Sequence, residues 1–194
     1  ADPRGHFPLR QAIASHLLSN RGIKCEPEQI FIVSGAQQAF QIIGNVLLDP
    51  DDLVWFENPG AIGASNSLIA SGAKLIPIPV DQDGLVVEDG LRRAPDFRLA
   101  FVTPAHQQPL GVSMSIERRF ALLNAADRNN AFIIEDDYDS EFRYSGQPPT
   151  TLKGIDNLGR VIYVGTFSKT LFPALRLGFF LAPTQLVDVF NRVS

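Results

Sequence analysis

The chain has one cysteine in 194 residues, Cys25, one methionine and one tryptophan. A single thiol excludes an internal disulfide and any cysteine-based metal site, so a reducing cytoplasm is the compartment it predicts. Basic clusters are missing as well. Lys and Arg number 17 against 21 Asp and Glu, a net charge of −4, and no stretch gathers the cations that phosphate backbones require. This segment is therefore not expected to touch DNA itself. No apolar run approaches the ~20 residues that span a bilayer, and residues 1–6 have neither the charged nor the apolar part of a signal peptide. A soluble chain without membrane contact is expected. It has no initiator methionine, and residues 190–194 stop inside an apparent helix, so it reads as a piece of a longer protein.

What is present is ordinary globular composition, 45% hydrophobic and 20% charged, which suits one domain with a real core. Short apolar runs predict strands at 30–33, 53–56, 74–80, 99–102, 132–134, 161–164 and 177–181. Pro77 and Pro79 mark the third as an edge strand. Helical spacing or small-residue stretches between turn signals predict helices ending near Gly22 and Leu48, over 61–71 and 88–93, over 115–129, and after Pro183. Strands alternating with helices predict an α/β fold: a mostly parallel sheet covered on both faces, three layers in all.

The chemistry concentrates at strand ends. After Val161–Val164 and Gly165 come Thr166, Ser168, Lys169 and Arg176. A lysine in the crevice at the C-terminal edge of such a sheet, flanked by Phe167, Leu171 and Phe172, would be partly desolvated, which frees its amine to attack carbonyls. The alternative is a surface lysine after a strand. Ser34-Gly-Ala-Gln37 turns a strand into a helix, an arrangement that binds phosphate through free N–H groups, or else is only a serine cap. The loop 103–113 holds His106, Gln107 and Gln108 and is too rich in polar residues to be filler. The strand at 132–134 runs into Glu135-Asp-Asp-Tyr-Asp-Ser-Glu141. A carboxylate there needs a partner: a protonated ring nitrogen for Asp136, a divalent metal for Asp136, Asp137 and Asp139, or water around a solvated loop. Against the metal, no second carboxylate cluster or histidine stands at another strand end.

A lysine, a carboxylate, a tyrosine and a phosphate-binding turn together describe one ligand, pyridoxal 5'-phosphate. At this point the chain resembles the fold-type I aminotransferase family, and within it the MocR-type regulators, which join a GntR-like winged-helix DNA-binding domain to an aminotransferase-like domain. The matching stretches are 2–5, 9–13, 58–60, 103–107, Glu135–Tyr144 and Gly165–Gly178. The resemblance implies that residues 1–194 are the cofactor-binding large domain, with the winged helix and the C-terminal small domain lying outside the chain. It implies that Lys169 carries the cofactor as a Schiff base, that Asp136 pairs with the ring nitrogen and that Tyr138 bonds the phenolic oxygen. Gly35, Ala36 and Gln37 would hold the phosphate from one side and Thr166, Ser168 and Arg176 from the other, with Gln108 and His106 near the ring. It further implies a homodimer, an amino acid or other amino compound as small-molecule partner, and DNA bound only through the separate N-terminal domain. A transaminase is the other activity such a domain supports.

Two positions depart from the family. Ala61 follows Asn-Pro-Gly where an aromatic residue usually stacks on the ring, and Gln108 stands where Phe or Asn is usual. A lost stacking ring costs about 1 kcal/mol unless Trp55, Phe56 or another aromatic substitutes.

Overall fold

The computed structural model describes residues 2–138, 150–166 and 177–193. Among them eight strands form one sheet: β1 (Ile30–Val33), β2 (Leu53–Asn58), β3 (Lys74–Asp81), β4 (Gly84–Leu85), β5 (Leu99–Val102), β6 (Phe132–Asp136), β7 (Val161–Thr166) and β8 (Gly178–Leu181). Their order is β1-β8-β7-β6-β5-β2-β3-β4. From β3 through β7 neighbours run parallel, whereas β8 is antiparallel to both β7 and β1, and β4 to β3. The expected mostly parallel sheet is therefore present, with β4 and the reversal of β8 added to it.

Among the described residues six helices cover the sheet: α1 (Phe7–Arg21), α2 (Ala36–Leu47), α3 (Ile62–Ala70), α4 (Val87–Arg93), α5 (Ile116–Arg128) and α6 (Val187–Val193). Even-numbered residues of β6 and β7, Ile134, Ile162 and Val164, pack with Phe40 of α2, Leu68 of α3 and Phe190 of α6. Odd-numbered residues face the other way: Ile133 and Val161 meet Leu122 of α5, and Tyr163 meets Ile13 and Leu17 of α1. The period-two alternation of a strand thus sorts side chains between the two helical layers. Burying each large aliphatic or aromatic side chain contributes roughly 1.5–3 kcal/mol.

Local sequence explains several boundaries. Gly22, at φ 64°, ends α1, and the N–H of Ile23 closes the turn on Leu17 O, the left-handed stop that glycine adopts without strain. Ser115 caps α5 by accepting from the Arg118 N–H. The prolines of β3 pair with Phe56 and Asn58 in register. The Pro77 carbonyl accepts from Arg93 and the Pro79 carbonyl from the Val86 N–H, and the two-residue β4 pairs with Val80 and Asp81, so β3, expected at the edge of the sheet, is instead the last strand but one.

The α1 face carries charge that sequence spacing did not reveal. Arg10 and Arg21 share the buried side of α1 with Ile13 and Leu17. Arg10 donates to Asp2, to Gly5 O and to Pro27 O, pinning the N-terminal turn.

A candidate ligand pocket at the carboxyl edge of the sheet

The ends of β1, β2, β5, β6 and β7 lie on one edge, because these five strands run in one direction. In open α/β sheets this edge is where ligands bind. A cavity of about 560 Å³ opens there, lined by Ala36, Gln37 and Phe40 of α2, by residues 60–64, by Gln108 and Pro109, and by Asp136 and Tyr138. Five of the predicted residues are thus gathered at one pocket: Ala36, Gln37, Gln108, Asp136 and Tyr138. Thr166 ends β7 in register with Gly178 and shares the even-numbered face with Asp136. Ser168, Lys169 and Arg176 lie outside the described residues.

The α2 end of the pocket differs from the serine cap considered above. The residue preceding the first turn is Gly35, with no side-chain cap, and not Ser34. The backbone N–H of Ser34 instead donates to Gln38 Oε1 at 2.6 Å. A helix that begins without a capping hydroxyl keeps first-turn N–H groups and the positive end of its dipole available to an anion. Gly35 also lies against β8: a Cβ on Gly178 would stand 3.1–3.2 Å from its backbone. The side chain of Gln37 reaches across to α3, where its Oε1 accepts from the Ser67 hydroxyl.

The acidic run is divided by the strand that begins it. Asp136 is buried and faces the pocket. Glu135 and Asp137 point to the opposite face. Glu135 accepts from the N–H groups of Leu152 and Lys153 at 2.8 and 2.7 Å, and Asp137 accepts from Arg21 and from the Tyr163 hydroxyl. Burial, with Asp137 nearby, raises the Glu135 pKa to about 7. Burial would lower that of Arg21, but the charge of Asp137 outweighs it and the guanidinium stays firmly protonated. The solvated-loop alternative therefore fails for Glu135, Asp136 and Asp137, all of which are buried.

Sequence reasoning missed Glu57. It ends the buried part of β2, the residue being 3% exposed, with its carboxyl accepting from the Thr103 hydroxyl at 2.6 Å, the Thr103 N–H at 3.3 Å and Gln107 Nε2 at 3.3 Å. Burial lifts its pKa to about 7. The signal was there: an acidic residue closing the run Val54-Trp-Phe must either leave the sheet or find donors.

Neither neighbouring aromatic replaces the ring missing at Ala61. Trp55 faces the other layer, stacked on Phe97 at 3.7 Å with its indole N–H donated to Ala94 O. Phe56 is stacked on Phe101 at 5.0 Å, within the core. Among the described residues the aromatic side chains on the pocket wall are Phe40 and Tyr138, the latter parallel to His106 within 15° at a centroid distance of 6.3 Å.

The aminotransferase class I and II family model matches residues 1–194. The chain belongs to that family. A probable rhizopine catabolism regulatory protein, MocR of Rhizobium meliloti, is 52% identical to this aminotransferase-family chain over 189 residues, 97% of the chain and 38% of the regulator. An archaeal alanine:glyoxylate aminotransferase superposes with a TM-score of 0.90 at 35% identity, covering 99% of this chain and 49% of that one. The kynurenine aminotransferase of Pyrococcus horikoshii, solved in complex with PMP, superposes with a TM-score of 0.88 at 34% identity, covering 100% and 49%. The chain thus spans about two fifths of that regulator's length and about half of each enzyme's. Among the described residues no helix is long and apolar enough to cross a membrane.

Proposed function

We propose that this chain is the pyridoxal-phosphate-binding core of a MocR-type transcriptional regulator, in which the cofactor, alone or with an amino compound, biases DNA binding by a separate winged-helix domain. The observation that carries the cofactor reading is the pairing, across one cavity, of the uncapped α2 N-terminus with the buried Asp136 carboxylate. One end suits a phosphate and the other a protonated ring nitrogen. The 52% identity to MocR supports the regulator reading, and the PMP held by the Pyrococcus horikoshii kynurenine aminotransferase is the amino form of the same cofactor.

In this reading the backbone N–H groups at Gly35, Ala36 and Gln37 bind the phosphate, and Thr166, Ser168 and Arg176 close it from the side of β7, Arg176 through its fork of donors. Asp136 holds a proton at the ring nitrogen, and Tyr138 donates to the phenolic oxygen. Gln108 lines the wall beside the ring, with His106 behind Tyr138. Lys169 is the point of covalent attachment. When bound, pyridoxal phosphate supplies an electrophilic carbon and an electron-withdrawing ring.

The test is the visible spectrum of the chain with added pyridoxal phosphate, before and after borohydride, beside Lys169→Ala. A yellow species that borohydride fixes to Lys169, absent from the variant, is the expected result; a colourless wild type overturns the cofactor reading. A homodimer is proposed with it, checked by sedimentation, where a monomer across a wide concentration range would be the contrary outcome.

The second reading is a transaminase acting on an amino acid and a 2-oxo acid, favoured by the 34–35% identity to two solved aminotransferases. There Lys169 would also move the substrate's α-proton. Sustained conversion of a 2-oxo acid by the full-length protein supports the enzyme; specific operator binding that responds to the cofactor supports the regulator.

A further inference from the structure

Glu57 touches no part of the cavity, yet its hydrogen bonds join the two loops that form one wall. Gln107, which donates to Glu57 at 3.3 Å, uses the same Nε2 to donate to Pro59 O at 2.8 Å. Its Oε1 accepts from the Leu110 N–H at 2.9 Å, and its backbone N–H donates to Val112 O at 2.8 Å. Thr103, held by Glu57 through both hydroxyl and N–H, sits where β5 gives way to that same loop. On one side of this knot stand Gly60 and Ala61, on the other Gln108 and Pro109, and all four line the pocket.

We propose that Glu57 is a positioning residue for the pocket, a buried clamp that, through Thr103 and Gln107, holds the loop carrying Gln108 at a fixed separation from the turn carrying Gly60 and Ala61. Ala61 brings no ring to that wall, so its shape depends on where the backbone of the two loops lies. A carboxylate can accept from all three donors at once; an apolar residue in its place strands the buried donors of Thr103 and Gln107 on the loop after β5 and unties that loop from the end of β2. Among the described residues, the donors to Glu57 are Thr103 and Gln107, both uncharged and both on the loop after β5.

The proposal rests on the reading of this cavity as a pyridoxal phosphate site, and the experiment separates the two. Pyridoxal phosphate affinity is measured for the wild type, Glu57→Gln, Glu57→Ala, Gln107→Ala and the double alanine variant at pH 8, above the value of about 7 to which burial raises the Glu57 pKa. Hydrogen exchange of the ligand-free proteins is followed at Leu110 and Gly111. Glu57→Ala is expected to weaken binding about tenfold, the loss typical of a hydrogen bond to a charged group, and Glu57→Gln less, since it keeps one acceptor for Thr103. The double variant should be no worse than the weaker single one, because both residues act through one clamp. Faster exchange at Leu110 and Gly111 in Glu57→Ala, with β2 and β5 still protected, is the matching result without ligand. Unchanged exchange in the loop overturns the clamp even if the wild type binds no cofactor, an outcome that would sink the cofactor reading alone. Unchanged affinity with a lowered melting temperature overturns it too, since a purely structural role predicts that pattern.

Discussion

Arg21 and Asp137 form an ion pair at 2.6 Å with side chains 2% and 1% exposed, joining the last turn of α1 to the end of β6 on the face of the sheet opposite to Asp136. Tyr163 completes the pair by donating its hydroxyl to the same Asp137 oxygen, and burial beside that carboxylate raises the phenol's pKa well above its ordinary value. Removing one partner of a buried pair leaves the other charge uncompensated.

Removing Arg21 alone should therefore be severe. Arg21→Met leaves Asp137 buried and unpaired, at an expected cost of about 3–5 kcal/mol. The double variant Arg21→Met with Asp137→Leu should recover most of that loss, because the charge is removed together with its partner. Urea denaturation of the three proteins checks this; a double variant as unstable as the single one would mean the pair does more than neutralise itself.

The two acids with pKa values near 7 predict how stability depends on pH. The folded pKa of Glu57, about 7, lies above its ordinary 4.5, so between these values the folded state keeps a proton that the unfolded chain has released. Stability is thus fullest below pH 4.5, falls as pH rises towards 7 and levels off above it. Glu135, also at about 7, adds to the same slope. Glu57→Gln cannot ionise and should flatten its share, of the order of 1–3 kcal/mol across that window. Chemical denaturation at pH 5, 6, 7 and 8 measures it, and an unchanged slope in the variant would refute the assignment.

Glycines on the pocket wall differ in what a methyl group would meet. At Gly60 a Cβ would stand 2.3 Å from the Glu57 carbonyl oxygen, which is backbone and cannot turn aside. At Gly63 it would meet Gln37 Nε2 at 2.6 Å, the far end of a flexible side chain. Gly60→Ala should shift the turn beside Ala61 and weaken pyridoxal phosphate binding at least tenfold, by loss of about 1.4 kcal/mol or more, whereas Gly63→Ala should displace only the Gln37 side chain and leave affinity within a few-fold. Fluorescence titration of the two variants compares them.

Much of this was legible in residues 30–33, 99–102 and 161–164, whose apolar runs leave little choice but buried strands. The strand ends that carry Asp136, Tyr138 and Gln108 followed from parallel topology, since parallel strands bring their carboxyl ends to one edge. What escaped was set by pairing over long distances. Gly84–Leu85 is too short to show a period, and the direction in which β8 runs beside β7 and β1 is a matter of pairing that its own four residues do not encode. Arg21 reads in sequence as a cation at a helix end, and only its proximity to Asp137, 116 residues away, makes it a buried partner. Gly35 differed from Ser34 by a single position, within the margin by which helix ends are read.

Asp136 offers the sharpest test of the proposed pocket, because its neighbours in sequence separate role from fold. Glu135 and Asp137 are committed to the opposite face, so Asp136→Asn changes charge on the pocket side alone and should leave the melting temperature within a few degrees of the wild type. The amide cannot hold a proton at a ring nitrogen as a carboxylate does. Pyridoxal phosphate affinity should then fall by tenfold or more, the scale of a lost charge-assisted bond, and the visible band of the bound cofactor should shift with the ring's protonation. Asp137→Asn should give the reverse pattern, lowered stability with the spectrum of the bound cofactor unchanged. If both variants lost affinity equally, the division of the acidic run between two faces would not govern the site, and the assignment of Asp136 to the cofactor would fall with it.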